Sequence, residues 1–127
     1  MAVIAAYMLP HPPLIVPQIG RGEERLIQKT IDAYGQTAQK IAAQGPETIV
    51  VLSPHQVMYA DYFHISPGRS AAGDFGQFRA GDVSMEVSYD REFVERLCAL
   101  TRASGFPAGT QGEQEKRLDH GTMVPLY

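Results

Sequence analysis

The sequence has few of the features that mark secreted, membrane-bound or nucleic-acid-binding proteins. Its single cysteine, Cys98, cannot form an intramolecular disulfide, and this favours a reducing compartment such as the cytoplasm. No apolar run approaches the length of about 18 residues that a membrane-spanning helix needs. The apolar opening at residues 2–8 lacks the basic leader of a signal peptide. Eleven basic residues against fourteen acidic ones give a net charge of −3, which argues against a nucleic-acid-binding surface.

Several motifs of common enzyme classes are also missing. The sequence contains no C-x-x-C pair, no G-x-S-x-G nucleophile turn, no glycine-rich phosphate loop and no H-E-x-x-H zinc motif. Its 127 residues, 44% hydrophobic and 20% charged, are typical of one globular domain, which we place at residues 1–127. Any active site must therefore be sought in the positions of single residues.

The first half of the chain predicts a strand, a long helix and a second strand. Residues 3–8 and 48–52 are short, uncharged apolar runs that end in proline-containing turns, as buried strands do. Between them, residues 21–44 carry apolar side chains every three or four positions, which is one face of a helix. This order predicts a β–α–β unit with a right-handed crossover. The expected fold class is α/β, with a mainly parallel sheet and flanking helices.

The second half is less regular. Residues 62–66 predict a third strand, residues 68–81 a loop rich in glycine and alanine, and residues 82–88 a half-exposed edge or antiparallel strand. Asp90 is a plausible N-cap for a helix. We expect that helix to direct four apolar side chains inward, namely Phe93, Val94, Leu97 and Leu100.

The last part of the chain predicts a polar loop followed by an apolar end. Residues 108–117 are polar and contain glycine, whereas residues 123–127 are apolar where domains usually finish with polar residues. We therefore expect the chain to be the N-terminal part of a larger domain. We also expect an exposed apolar end at residues 124–127 to promote self-association.

Two histidines occupy matching positions after the two predicted parallel strands. His11 follows the first strand and His55 follows the second, both beside prolines that stiffen the backbone. Ligands bind at the carboxyl ends of parallel strands, and neighbouring strands lie about 4.8 Å apart. Two imidazoles there can share one metal ion with bonds of about 2.1 Å. This placement predicts a two-histidine metal site; the alternative is that each ring is a loop side chain held by a local hydrogen bond.

The remaining candidates have both a functional and a purely structural interpretation. His120 could act as an acid, a base or a hydrogen-bond donor to a ligand, or it could be a turn residue held by Asp119. His64 is expected to be an ordinary strand residue, and Cys98 a small core residue. Acidic residues that could complete a metal site, or could simply be solvated, are Asp61, Asp74, Glu113 and Asp119.

Three separated motifs carry a family resemblance. They read HPPLIVP at residues 11–17, SPH at 53–55 and LDHG at 118–121. They resemble the class III extradiol ring-cleavage dioxygenases, the superfamily of the catalytic β-subunit of protocatechuate 4,5-dioxygenase. The middle of the chain, at residues 61–68 and 73–76, is similar to the subgroup related to Memo and AmmeMemoRadiSam proteins. The resemblance runs along nearly the whole chain but covers about the first half of the usual family domain.

The resemblance implies a site and a reaction. His11 and His55 match the histidines that bind non-haem Fe(II), for which zinc is a conceivable substitute, and His120 matches a histidine that holds or polarises the bound catechol or oxygen. The family's carboxylate ligand and a further acid–base histidine lie in the second half and have no counterpart here. The implied reactants are a small aromatic diol and O2, with no nucleic-acid or membrane partner. The expected partners are a second copy or the missing C-terminal half.

Two other functions remain open at this point. One is a Memo-like metal-binding protein without dioxygenase activity, acting in metal handling or partner binding. The other is a zinc hydrolase, since zinc also accepts histidine and carboxylate ligands. The hydrolase ranks last because the chain lacks an H-E-x-x-H element.

Overall fold

The computed structural model describes residues 2–112 and 117–127, which form helices and two small sheets of the α/β class predicted above. The helices are α1 (Pro17–Gly20), α2 (Gln28–Gln44), α3 (Arg91–Ser104) and α4 (His120–Leu126). The strands are β1 (Phe63–His64), β2 (Ser70–Phe75), β3 (Ala80–Ser88) and β4 (Ala108–Gly109). Short 3-10 turns lie at Pro13–Ile15, Glu23–Ile27 and Gly76–Phe78.

Strands β2 and β3 form an antiparallel hairpin, with Ser70 opposite Ser88 and an irregularity after Asp74. The predicted antiparallel strand is therefore confirmed, but the loop predicted for residues 68–81 is wrong over β2. Its small residues serve close packing: a Cβ atom on Gly73 would lie 2.7 Å from both the Leu118 carbonyl oxygen and the Met123 sulfur. A strand that lies this close to a neighbouring segment needs small residues such as glycine and alanine, and these residues are also typical of loops.

Strands β1 and β4 form a short parallel pair, in which Phe63 is opposite Ala108 and His64 is opposite Gly109. The rings of Phe63 and Phe106 stack with their centroids 5.5 Å apart. The third predicted strand is thus confirmed at its centre. The predicted loop at residues 108–117 is wrong at its start, because β4 supplies the backbone partner that β1 needs.

The two buried strands predicted for residues 3–8 and 48–52 are not formed as strands, and the β–α–β unit is absent from the described residues. Both segments are exposed: Val3 is 90% and Leu52 is 89% accessible to solvent. A buried strand needs a neighbour for its backbone and a covering layer for its side chains. The described parts of the chain supply neither to these segments. The parallel pairing within the described parts consists of β1 with β4 and an isolated bridge between Ala72 and Arg117.

The two long helices lie close to their predicted bounds. A 3-10 turn precedes α2, which ends as expected at Gly45 in the left-handed conformation, with φ 56°. Asp90 caps α3, and Cys98 is buried as expected. Leu100 was wrongly expected to face inward and is 66% exposed, since a step of about 100° per residue turns it away from buried Thr101. No described helix has the length and apolar character that crossing a bilayer requires.

The core forms where the chain's first turns, the β2–β3 hairpin and α4 meet. Its fully buried side chains are Phe75, Met123, Val16 and Val124. The exposed apolar end expected at residues 124–127 is therefore wrong at Val124, which packs in this core, while Tyr127 remains 55% exposed. The amphipathic order of α4 explains the difference, because the helix buries one side while Tyr127, which follows its last residue, extends into solvent.

The N-cap of α3 makes stability depend on pH. The hydrogen bond from the Thr48 hydroxyl, and then that from the Phe93 backbone, hold the pKa of Asp90 below its ordinary value of 3.8. A lowered folded-state pKa stabilises the fold above the ordinary pKa, and this stabilisation is lost as the pH falls through the folded-state value. Asp90→Asn keeps a capping oxygen but removes the charge. Urea unfolding from about pH 5 to about pH 2 should show a shallower loss of stability in Asp90→Asn than in the wild type. Parallel pH profiles would contradict this assignment.

Candidate metal centre

Three histidine side chains from distant parts of the chain converge on one point. The Nε2 atoms of His11 and His55 are 2.8 Å apart, and candidate ligand atoms of His11, His55 and His120 all lie within 4.8 Å of one another. The ring centroids of His55 and His120 are 4.1 Å apart, and those of His11 and His55 are 4.8 Å apart. The structure thus brings together the two rings expected to meet and adds His120 to them.

The donor set fits a metal ion. Two nitrogens bound at about 2.1 Å to one ion, at right angles, lie about 3 Å apart. The Nε2 atoms of His11 and His55 have that spacing. Neutral imidazole is a ligand that both iron and zinc accept. The arrangement can therefore hold a transition-metal ion between these rings.

The position of His11 depends on the residues on either side of it. The Tyr34 hydroxyl of α2 donates a short hydrogen bond to the Pro10 carbonyl oxygen. On the other side, the Pro12 carbonyl oxygen accepts from the Ile15 backbone at 3.1 Å and starts the first 3-10 turn. Burial raises the pKa of Tyr34, so its hydroxyl stays protonated as a donor at neutral pH. The backbone that carries His11 is thus tied to both α2 and the core turn.

His55 and His120 are connected through Ser53 and Asp119. The Ser53 hydroxyl accepts a hydrogen bond from the His55 backbone at 3.2 Å and donates one to Asp119 Oδ1 at 2.5 Å. Asp119 also caps α4 by accepting from the Thr122 backbone at 3.1 Å. Burial acts to raise the pKa of Asp119, but the hydrogen bonds, led by that from Ser53, outweigh it and hold the pKa below its usual range. Asp119 is therefore a charged acceptor at neutral pH.

The surroundings of His120 favour its neutral form. Burial lowers the pKa of His120, and His55 lowers it further, against an opposing effect of Asp119. The edge of the His120 ring meets Phe78 with the centroids 5.4 Å apart. A neutral imidazole keeps one nitrogen lone pair for a proton or a metal.

Gly121 lets α4 approach the loop that carries His55. A Cβ atom at this position would lie 2.6 Å from Ser53 Oγ, 2.7 Å from His55 Cδ2 and 2.9 Å from Asp119 Oδ1. No side chain fits there without a shift of the loop or the helix. The motif at residues 118–121 therefore combines a cap, a ring and a close contact in consecutive positions.

The other predicted candidates lie outside the histidine cluster. The His64 Nδ1–H donates a hydrogen bond to the Gln111 carbonyl oxygen at 3.1 Å, away from the cluster. Asp74 pairs with Arg117 at 3.2 Å, and Asp61 is exposed. Glu113 lies outside the described residues. Within the described ranges, no carboxylate oxygen joins the three imidazoles.

Sequence reasoning missed the roles of Ser53, Thr122 and Gly121. The capping role of Asp119 has a local signal, because an aspartate followed three residues later by a threonine is typical of a helix N-terminus. The bond between Ser53 and Asp119 has no local signal, since the two residues are 66 positions apart.

An open pocket of about 630 Å³ lies beside two of the histidines. His55 and His120 form one side of it, and Asp74, Gln77 and Arg117 line another part. This volume is within the range of small-molecule sites, roughly 300–1,000 Å³.

Comparison with known proteins identifies the family. Residues 5–127 match the family model described as the catalytic LigB subunit of aromatic ring-opening dioxygenase. The chain belongs to the LigB family. The resemblance inferred from the three motifs is thereby confirmed, and His11, His55 and His120 all lie inside the LigB match.

A Clostridium acetobutylicum relative, Protein CA_C1420, is 37% identical to this LigB-family chain over 134 aligned positions. The alignment covers the whole chain but 29% of the relative, so the chain spans less than a third of that protein's length. No solved structure matches the chain significantly.

Gly121→Ala tests the close approach of α4 to the His55 loop. We expect the added methyl to push the two apart, to lower stability by about 1–3 kcal/mol, and to weaken zinc binding about tenfold or more. Urea unfolding and zinc titration calorimetry measure these effects.

The matched control is Gly35→Ala, where the new Cβ would meet no atom within 4 Å. Because alanine is the better helix former, this variant should gain up to about 1 kcal/mol of stability and keep its zinc affinity. Zinc binding by Gly121→Ala as tight as that of the wild type would disprove the steric argument.

Proposed function

We propose that this chain contributes the histidine ligands of a non-haem Fe(II)-dependent extradiol dioxygenase, which cleaves a catechol-type aromatic ring with O2. The observation that carries the proposal is the convergence of His11 and His55, with their Nε2 atoms 2.8 Å apart and His120 beside them. Membership of the LigB family supports the reaction class. Fe(II) is the proposed ion, and zinc is a substitute that the same donors would accept.

The three histidines have different proposed roles. His11 and His55 would hold the ion through their Nε2 atoms. When bound, Fe(II) would supply redox chemistry and open coordination positions for a diol and O2. His120 lines the pocket next to His55, where its free ring nitrogen can hold or take the proton of a diol hydroxyl. The pocket would orient the aromatic ring against these groups, so that proximity supplies much of the rate enhancement.

The overall reaction is balanced without a further reductant. One carbon–carbon bond of the aromatic diol breaks next to a hydroxyl-bearing carbon, and both atoms of O2 enter the ring-opened product. The diol supplies all the electrons that reduce O2. The reaction therefore requires two substrates, and the site must place both of them near His120.

The proposal includes a partner segment. Residues 3–8 and 48–52 lead directly to the two ligand histidines, yet their apolar side chains are exposed and their backbones have no strand partner among the described residues. The chain also spans only 29% of the relative that it matches. We propose that a strand-forming polypeptide segment, from the family's C-terminal half or a second copy, covers this face and brings the carboxylate ligand. A cytoplasmic location is part of the same proposal.

A second candidate function is a Memo-like metal-binding protein that lacks dioxygenase activity. The observation in its favour is that the cluster in the described residues consists of imidazoles alone. Such a site can bind a metal for handling or partner recognition without arranging two reactants. Loss of the anionic ligand weakens the case for oxygen chemistry but not for metal binding.

Replacing His11 or His55 by alanine should weaken Fe(II) binding more than about tenfold, because each variant removes one of the nitrogens that the ion shares. His64→Ala is the control, since His64 bonds to Gln111 outside the cluster and its loss should leave binding unchanged. Anaerobic Fe(II) titration with a competing chelator gives the affinities. The wild-type chain alone should hold iron weakly, so stoichiometric iron that survives desalting would contradict the need for a further ligand.

Oxygen uptake separates the two candidate functions. The chain, alone and together with its proposed partner segment, should be loaded with Fe(II) and offered a panel of catechols in an oxygen electrode. The dioxygenase proposal expects uptake that follows diol concentration and is lost in His55→Ala. A metal-loaded protein that consumes no oxygen with any diol would favour the Memo-like function.

The exposed apolar face formed by residues 3–8 and 48–52 predicts self-association of the isolated chain. Leu52→Lys places a charge on that face and should reduce the concentration-dependent mass measured by light scattering. Leu26→Lys is the control, because Leu26 is comparably exposed, at 82%, but lies outside the two segments. Equal effects of both substitutions, or a wild-type monomer at high concentration, would argue against this face as a contact surface.

A further inference from the structure

We propose that Ser53 and Asp119 are positioning residues for the metal ligands. Together with Gly121 they form a clamp that holds His55 and His120 at the spacing a shared ion requires. The inference rests on the proposed metal site, and it adds to it the residues that set the geometry of the ligands. Neither Ser53 nor Asp119 belongs to the group of potential ligands itself.

The clamp is a continuous chain of hydrogen bonds between the two ring-bearing segments. The His55 backbone N–H donates to Ser53 Oγ at 3.2 Å, and the Ser53 hydroxyl donates to Asp119 Oδ1 at 2.5 Å. Asp119 is joined by a peptide bond to His120. One serine hydroxyl therefore connects the backbone of one histidine to the residue before the other, across 66 positions of sequence.

The Asp119 end of the clamp is anchored in the core. Its Oδ1 accepts from the Thr122 backbone at 3.1 Å and its Oδ2 accepts from the Thr122 hydroxyl at 2.8 Å. These bonds start α4, whose Met123 and Val124 are each 1% exposed. Hydrogen bonds to an ionised carboxylate are shorter and stronger than neutral ones. Asp119 thus holds Ser53 at a fixed distance from the N-terminus of α4.

The Ser53 end needs such an anchor because its loop is otherwise held only at some distance from Ser53. Thr48 bonds to Asp90 before it, and the Gln56 side chain donates to the Arg117 carbonyl oxygen at 2.8 Å after it. His55 is exposed, and residues 48–52 before it have no strand partner among the described residues. Without the Ser53 bond, an incoming ion would have to order the residues between these two contacts, including His55. That ordering costs conformational entropy and lowers the observed affinity. The clamp orders the loop before the ion arrives.

The loop that carries His55 and the N-terminus of α4 also pack closely at Gly121. A Cβ atom on Gly121 would lie 2.6 Å from Ser53 Oγ and 2.7 Å from His55 Cδ2. The clamp therefore limits the distance between His55 and His120 in both directions. The hydrogen bonds keep them from separating, and van der Waals contact keeps them from moving closer.

The chain contains a matched pair of control residues. Asp90 caps α3 by accepting from the Phe93 backbone at 2.9 Å, and it also accepts a hydrogen bond from the Thr48 hydroxyl. The same chemistry, an N-cap aspartate bonded to a distant hydroxyl, thus occurs at a helix that carries none of the three histidines. Variants of Thr48 and Asp90 report what the loss of such a bond does to the fold and to residues 48–52, while the Ser53 bond to Asp119 stays in place.

The experiment compares Ser53→Ala and Asp119→Ala with Thr48→Ala and Asp90→Ala in cobalt(II) titrations of the full chain. Cobalt(II) is the probe because its visible absorption reports coordination geometry as well as binding. We expect the two clamp variants to bind cobalt about 10- to 100-fold more weakly, with a changed spectrum at saturation. The two control variants should bind within about twofold of the wild type, although thermal unfolding should show that they are destabilised as much.

Conservative variants keep the test decisive if an alanine variant fails to fold. Ser53→Thr keeps the hydroxyl and Asp119→Asn keeps a capping oxygen, so both should restore most of the cobalt affinity and the wild-type spectrum. Unchanged affinity and spectrum in Ser53→Ala would overturn the clamp. So would an equal loss of affinity in Thr48→Ala and Asp90→Ala.

The same titrations distinguish a failure of the clamp from a failure of the proposed metal site. A wild-type chain that binds no cobalt would overturn the metal site itself, and the clamp with it. A wild-type chain that binds cobalt through His11 and His55, with clamp variants that bind equally well, would overturn the clamp alone.

Discussion

The packing of α4 against the core is the contact on which the candidate site depends. Met123 and Val124 are buried beside Val16 and Phe75, so the short helix has one position relative to the first turns of the chain. Its N-terminus then carries Asp119 and His120 to the place where His11 already lies. Burial of two apolar side chains at the end of the chain thereby determines where the third imidazole is found.

The backbones that carry His11 and His55 are held by side-chain hydrogen bonds instead of by a sheet. In an open α/β fold, paired strands usually place such residues at their carboxyl ends. Here the segments before His11 and His55 are unpaired within the described residues. Two hydrogen bonds hold these segments in place. Tyr34 of α2 bonds to the Pro10 carbonyl oxygen, and Ser53 bonds to Asp119 at the start of α4. The chemistry of the site is therefore sensitive to single hydroxyl groups.

Membership of the LigB family and the geometry of the histidine cluster support different parts of the proposed function. The family's description as an aromatic ring-opening dioxygenase supports the proposed reaction class, and the cluster supports the proposed metal site. The pocket beside His55 and His120 lies next to that cluster. The exposed apolar segments at residues 3–8 and 48–52 lead to His11 and His55, which belong to the cluster of three imidazoles.

Local patterns in the sequence were sufficient for the features that depend on neighbouring residues. The cap at Asp90, the end of α2 at Gly45 and the alternation of β3 follow from preferences of a few adjacent residues, and the structure has them. The matching positions of His11 and His55 likewise indicated that the rings would meet. By contrast, the apolar runs at 3–8 and 48–52 reveal a tendency to form strands but not the partner that a strand requires. Only the tertiary structure decided that β2 is a strand, that Val124 is buried and that Ser53 bonds to Asp119, because each depends on a contact between residues distant in the chain.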